Sequence, residues 1–161
     1  MAGKLQGEIG QTKPFALIEE EAALNIVRTA EVLQGAAADL LKEYDLSPVQ
    51  YNVLRILRGA GAAGATCSQI GERLLTRDPD ITRLLDRMDA RDLLTRERGS
   101  EDRRVVITRI SPAGLALVDS IDRPLRAMHK SKLGKFEPNM LAELISSLEL
   151  VRQAFWKKEK G

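Results

Sequence analysis

The stretch TCSQIGERLLTRDPDITRLLDRMDA, residues 66–90, decides the fold of this chain. It holds two short helical patterns separated by a brief polar turn. The first opens on Thr66 with Gln69 three residues later, a capping box that satisfies two exposed N–H groups at once. The second opens on DPD, residues 78–80, where Asp78 is expected to cap and Pro79 to take the first helical position. From there Ile81, Leu84, Leu85 and Met88 recur at the spacing of one buried face, which predicts a helix over about 79–90. Short helix, turn, short helix is the helix-turn-helix pattern.

Next comes TRERGSEDRRVVIT, residues 95–108, which reads as two short strands and a turn. Arg96, Arg98, Arg103 and Arg104 crowd it, with Glu97, Glu101 and Asp102 between them. A charged hairpin placed directly after a helix-turn-helix is a wing. Further out, SPAG at 111–114 starts a helix predicted over about 112–132, and a last one follows over about 138–157. On the other side, SPVQ at 47–50 is a second capping box and starts a helix over about 48–57. A loop with Gly59, Gly61 and Gly64 leads from it into the central stretch, and a long helical pattern over about 15–43 precedes it. The fold class is therefore mainly α with a small β-hairpin wing. Residues 1–13 are expected to be a disordered tail, 14–45 an N-terminal dimerisation helix, 46–110 the winged helix-turn-helix and 111–161 C-terminal dimerisation helices.

Composition narrows the function. Of the 161 residues 43% are hydrophobic but only 4% aromatic, so the core is aliphatic. The net charge of +2 leaves any basic surface to be a local one. A single cysteine, Cys67, permits no internal disulfide, and together with His129 it cannot complete a zinc site. No metal or other cofactor is expected. The opening MAGKLQGEIGQTKP lacks the apolar stretch of a signal peptide, and no run reaches the ~18 apolar residues of a membrane span, so a cytoplasmic protein without membrane partners is expected. No Ser/His/Asp set, phosphate loop or carboxylate pair in a credible site is visible, which counts against an enzyme.

The helix over 79–90 shows Asp80, Thr82, Arg83, Asp86 and Arg87 opposite its apolar face. The N-terminal part of the second helix of a helix-turn-helix enters the major groove, and Thr82 and Arg83 sit there. Arginine can grip guanine O6 and N7 with two bonds, and threonine can bond a base or pack on a thymine methyl. The competing reading is a solvated face with an Arg83–Asp86 pair. Asp80 is read as complementing the helix dipole. Between residues 73 and 104 stand nine arginines, eight acids and no lysine. The planar guanidinium fork suits phosphate and base contacts, and acids beside it can orient it.

The segments EDRRVVITRISPAG and DITRLLDRMDARDLLTRERGSEDRR resemble the MarR (multiple antibiotic resistance regulator) family, over about residues 46–117. The resemblance implies a Thr-Arg recognition helix with Thr82, Arg83 and Arg87 toward the major groove. It also implies Arg104 as the wing arginine in the minor groove, held by Asp102. Arg96 and Arg98 would approach the backbone, and Arg77 and Arg103 complete the candidate DNA-binding set. Two departures show: Asp92 stands where a helix-ending Gly is usual, and Ser111-Pro112 replaces the usual Thr start. The family reading also implies a small-molecule effector and its pocket, whose lining the sequence does not place.

The outer helices are apolar over most of their circumference, with Ala22, Ala23, Ala36, Ala37 and Ala38 in the first and Met140, Leu141, Leu144, Ile145, Leu148, Leu150 and Val151 in the last. Helices of that kind are normally buried, so a homodimer is expected. Two-fold symmetry then pairs two recognition helices on double-stranded DNA and sets a near-palindromic target with half-sites roughly 10 base pairs apart. The expected function is a ligand-responsive repressor of transcription. Two alternatives stand beside it: a winged module for protein contacts without DNA binding, and a redox-sensing regulator acting through Cys67.

Overall fold

The computed structural model describes residues 4–76, 80–98 and 104–155. Contacts divide the chain into two compact units, Met1–Ile121 and Asp122–Gly161. In the first unit the helices are α1 (Lys4–Glu8), α2 (Ile18–Lys42), α3 (Pro48–Ala60), α4 (Cys67–Arg73) and α5 (Ile81–Asp89). Helix α6 (Pro112–Leu133) begins there and ends in the second unit, which also holds α7 (Pro138–Phe155). The stretch read as a tail carries the short α1, where Leu5 is buried and Glu8 lies 4.0 Å from Arg28 of α2.

Both capping boxes form as the sequence predicts. Gln50 N donates to Ser47 Oγ at 3.2 Å and Ser47 N to Gln50 Oε1 at 2.9 Å. Thr66 and Gln69 repeat the same two bonds at 3.2 and 2.9 Å. One cap differs from expectation. Asp80, not Asp78, is the N-cap of α5: its Oδ1 accepts from Arg83 N at 3.4 Å, so the helix starts at Ile81, two residues later than read. Asp78 and Pro79 lie outside the described residues.

The sheet has three strands, one more than the hairpin alone. Strands β1 (Ala65–Thr66), β2 (Leu94–Arg98) and β3 (Val106–Ile110) are antiparallel in the order β1-β3-β2. The register runs from Leu94 opposite Ile110 to Arg98 opposite Val106, with Ala65 opposite Thr108 on the other side. A two-residue strand shows no alternation, so β1 was hidden in the Ala/Gly loop. Gly64 permits it: its φ is +68°, and a Cβ there would meet the Thr108 carbonyl at 2.6 Å.

The core of the first unit is aliphatic. Leu41, Leu54, Leu57, Ile70, Leu84, Leu85, Met88, Leu94, Val118 and Ile121 are all buried. Three of the four residues assigned to the inner face of α5 are among them, and Ile81 is half-buried. Burying a side chain of this size contributes about 1.5–3 kcal/mol, so the inner face of α5 holds the helix to the body and leaves Thr82, Arg83 and Arg87 on the exposed side.

Candidate nucleic-acid interface

Helix α5 presents Thr82, Arg83, Asp86 and Arg87 on its exposed side. Arg83 leans back toward the start of the helix, with Nε 3.3 Å from Asp80 Oδ2 and its side chain 81% exposed. Asp80 therefore caps the helix and steers the guanidinium, and the Arg83–Asp86 pair is not the one formed. An exposed ion pair of this kind contributes about 0–1 kcal/mol and exchanges readily for an anion that offers more. Thr82 Oγ1 lies 4.0 Å from Cys67 Sγ, so the half-buried thiol at the start of α4 is next to the outward face of α5.

The C-terminal end of α5 is turned off by a residue in the left-handed region. Asp92, standing in the sequence where a helix-ending Gly is expected, has φ +57°. Leu93 N donates to Met88 O at 3.0 Å and Asp92 N to Asp89 O at 2.8 Å, which closes the last turn and aims the chain into β2. The carbonyl of Asp92 accepts from Ser111 Oγ at 2.5 Å, and the same Oγ accepts from Gly114 N at 2.9 Å. Ser111 thus caps α6 and ties it to the end of the recognition helix, the work expected of the Thr it replaces.

The strands of the wing are anchored at their base. Arg109 of β3 donates through Nε to Ala62 O at 2.8 Å and through Nη1 to Glu97 Oε2 of β2 at 2.9 Å. Arg96 of β2 is drawn back onto α5, where its Nη1 donates to Asp86 Oδ1. The Arg96 side chain is only 21% exposed, and its Nε is buried with no hydrogen-bond partner among the described residues. Arg98, at the end of β2, and Arg104, just before β3, are exposed. Arg77, Asp102 and Arg103 lie outside the described residues.

The structure thus brings Thr82, Arg83 and Arg87 to one helix face and sets the exposed Arg98 and Arg104 at the far ends of β2 and β3. It gives Arg96 a partner inside the protein. Sequence reasoning passed over Asp86 as that partner and Arg109 as the clamp of the wing, because both pairs join residues of different elements. It also passed over Asn52 of α3, whose Oδ1 accepts from Leu75 N at 2.8 Å and fixes the start of the turn between α4 and α5. Among the described residues no group of three or more His, Cys, Asp or Glu is placed to hold a metal, and no helix is long and apolar enough to cross a membrane.

Known proteins share this arrangement. A family model described as the MarR family matches residues 44–105. A MarR transcription factor from Planctomyces limnophilus is 39% identical, with a TM-score of 0.65, over 84% of this chain and 98% of that one. The HTH-type transcriptional regulator MhqR of Bacillus subtilis (strain 168) is 27% identical over 121 residues, 73% of this chain and 82% of that protein. The S. aureus MepR–DNA complex matches with a TM-score of 0.75 over 82% of this chain and 96% of that one; at 17% identity it shows the common fold alone.

Proposed function

The chain belongs to the MarR family of winged helix-turn-helix transcription regulators, and from that premise we propose that it is a dimeric repressor binding a near-palindromic operator. The observation that carries this reading is the outer face of α5, where Thr82, Arg83 and Arg87 stand exposed over the buried Leu84, Leu85 and Met88. That face enters the major groove, with Arg83 as the main base contact and Thr82 beside it. Arg104 reaches the adjacent minor groove, where an A·T-rich stretch narrows it and deepens its negative potential. Arg98 contacts phosphate. Arg96 acts differently from its neighbours: held by Asp86, it braces β2 against α5 instead of touching DNA. The matched relatives carry the names of regulators, and no chemistry is assigned to the chain. Its place of work is the cytoplasm, where the DNA is.

The effector is a small molecule. A cavity of about 440 Å³ within the first unit, lined by Ala38, Lys42, Leu46, Pro48 and Arg91 among others, is where we place it. Its wall joins the end of α2 to the start of α3 and the segment after α5, so an occupant bears on the residues that hold the recognition helix. The Arg91–Asp45 ion pair at 3.0 Å crosses the same region.

The test starts from duplexes enriched from a random pool by the protein itself. Arg83→Ala should cost roughly 1–3 kcal/mol of specific binding and relax preference at one base pair per half-site. Arg98→Ala should weaken all sequences alike and flatten the salt slope by about one unit. Failure to enrich any duplex, or enrichment without dyad symmetry, overturns the reading.

A further inference from the structure

Large exposed apolar side chains are spread unevenly over the described residues. Most lie on α2 and α7, which the dimer reading accounts for. Leu75 does not. It is 85% exposed and sits in the segment between α4 and α5, on the approach to the N-terminal end of the recognition helix. Its exposure does not come from a loose backbone. Leu75 N donates to Asn52 Oδ1 at 2.8 Å, and Leu74 N before it donates to Ile70 O at 3.1 Å, so the residue is pinned to α3 and α4 on its main-chain side. A leucine held in water by its own backbone gains nothing for the fold.

We propose that Leu75 is a specificity-determining residue that packs on a thymine methyl group at the mouth of the major groove. The inference rests on the DNA-binding reading above and extends it to a residue outside the recognition helix. Three observations support it. The segment leads directly into the helix end that enters the groove in this class of domain. Leu75 stands seven residues before Thr82 and eight before Arg83 along the chain, and both of those side chains are exposed on the first turn of α5. The one apolar group that DNA offers in the major groove is the C5-methyl of thymine, so an isopropyl-bearing side chain presented there has one partner to match. Asn52 is then a positioning residue, because it sets where Leu75 stands without touching DNA.

The test replaces thymine by uracil, which removes that methyl and leaves every hydrogen-bonding group of the base in place. The probe is a duplex enriched from a random pool by the wild-type protein, with each thymine of one half-site changed in turn to deoxyuridine. At one position the change should weaken wild-type binding roughly fourfold, and roughly fifteenfold when both half-sites carry it, the loss expected for one buried methyl per half-site. Leu75→Ala should bind the thymine duplex as weakly as the wild type binds the uracil one, and should be indifferent to the exchange at that position. Leu75→Met should keep the preference. Because the side chain is exposed, both variants are expected to melt with the parent. If Leu75→Ala still discriminates thymine from uracil at every position where the wild type does, or the wild type discriminates at none, this proposal is overturned while the DNA-binding reading stands. A protein that enriches no duplex overturns both.

Discussion

At Gly114 the backbone of α6 passes so close to the end of the recognition helix that no side chain fits. A Cβ there would lie 2.0 Å from the carbonyl oxygen of Leu93. Leu93 O also accepts from Ser111 N at 3.2 Å, so the oxygen is held and cannot easily withdraw. Gly114→Ala should therefore destabilise the fold by about 2 kcal/mol or more, read as a fall in the urea midpoint, since the contact is with main chain and the strain must spread into α5 or β2. An unchanged midpoint would show that the two segments separate freely. The glycine was visible in the sequence as part of a familiar helix start, but its reason was not. The oxygen that excludes a side chain belongs to a residue far away along the chain, and no local pattern reports it. Asp92 is the opposite case. Its departure from the usual glycine was plain in the sequence, and the φ of +57° shows that the left-handed turn is kept regardless.

Between elements, the pairing of Arg96 with Asp86 ties the first wing strand to the outer face of the recognition helix. Such a brace fixes the angle between α5 and β2, the two parts proposed to contact DNA, without Arg96 needing to touch DNA itself. Arg96→Ala should then weaken operator binding about tenfold, equivalent to ~1.4 kcal/mol, while leaving the salt slope where it was. Exchanging the two residues, Asp86→Arg with Arg96→Asp, should recover part of the loss. A slope flattened by about one unit in Arg96→Ala would place Arg96 on a phosphate instead. The elements themselves were largely legible: capping boxes, Ser-Pro starts and the i, i+3, i+4, i+7 face of α5 all act within one turn of helix. The helix start at Asp80 was misjudged because two aspartates flank Pro79 and either can cap. β1 was missed because two residues cannot show a period.

Across the whole molecule, the apolar surface left uncovered is the feature with the widest reach. Along α2, Ile18 is 79% exposed, Val27 65% and Val32 58%. Among the described residues of α7 none is buried, and Leu150 is 63% exposed. One copy of the chain leaves these faces in water, which a homodimer would relieve. Sedimentation equilibrium at micromolar concentration should give twice the chain mass, and the melting temperature should rise with protein concentration. A well-folded monomer after removal of residues 141–161 would refute this. The dimer expectation rests on the apolar terminal helices, which are plain in the sequence, whereas the division of contacts at Ile121, inside α6, left no mark in composition. The face proposed to meet DNA has a further property. From residue 73 to residue 104 its cations are all guanidinium, with no primary amine among them. Enzymes that acetylate lysine have no substrate on that face, and its charge at neutral pH is permanent. On the DNA-binding reading, lysine acetylation cannot switch off the cations proposed to hold the double helix. Control through shape then remains open to the protein: a shift of the helix that carries those cations, or of the strands beside it.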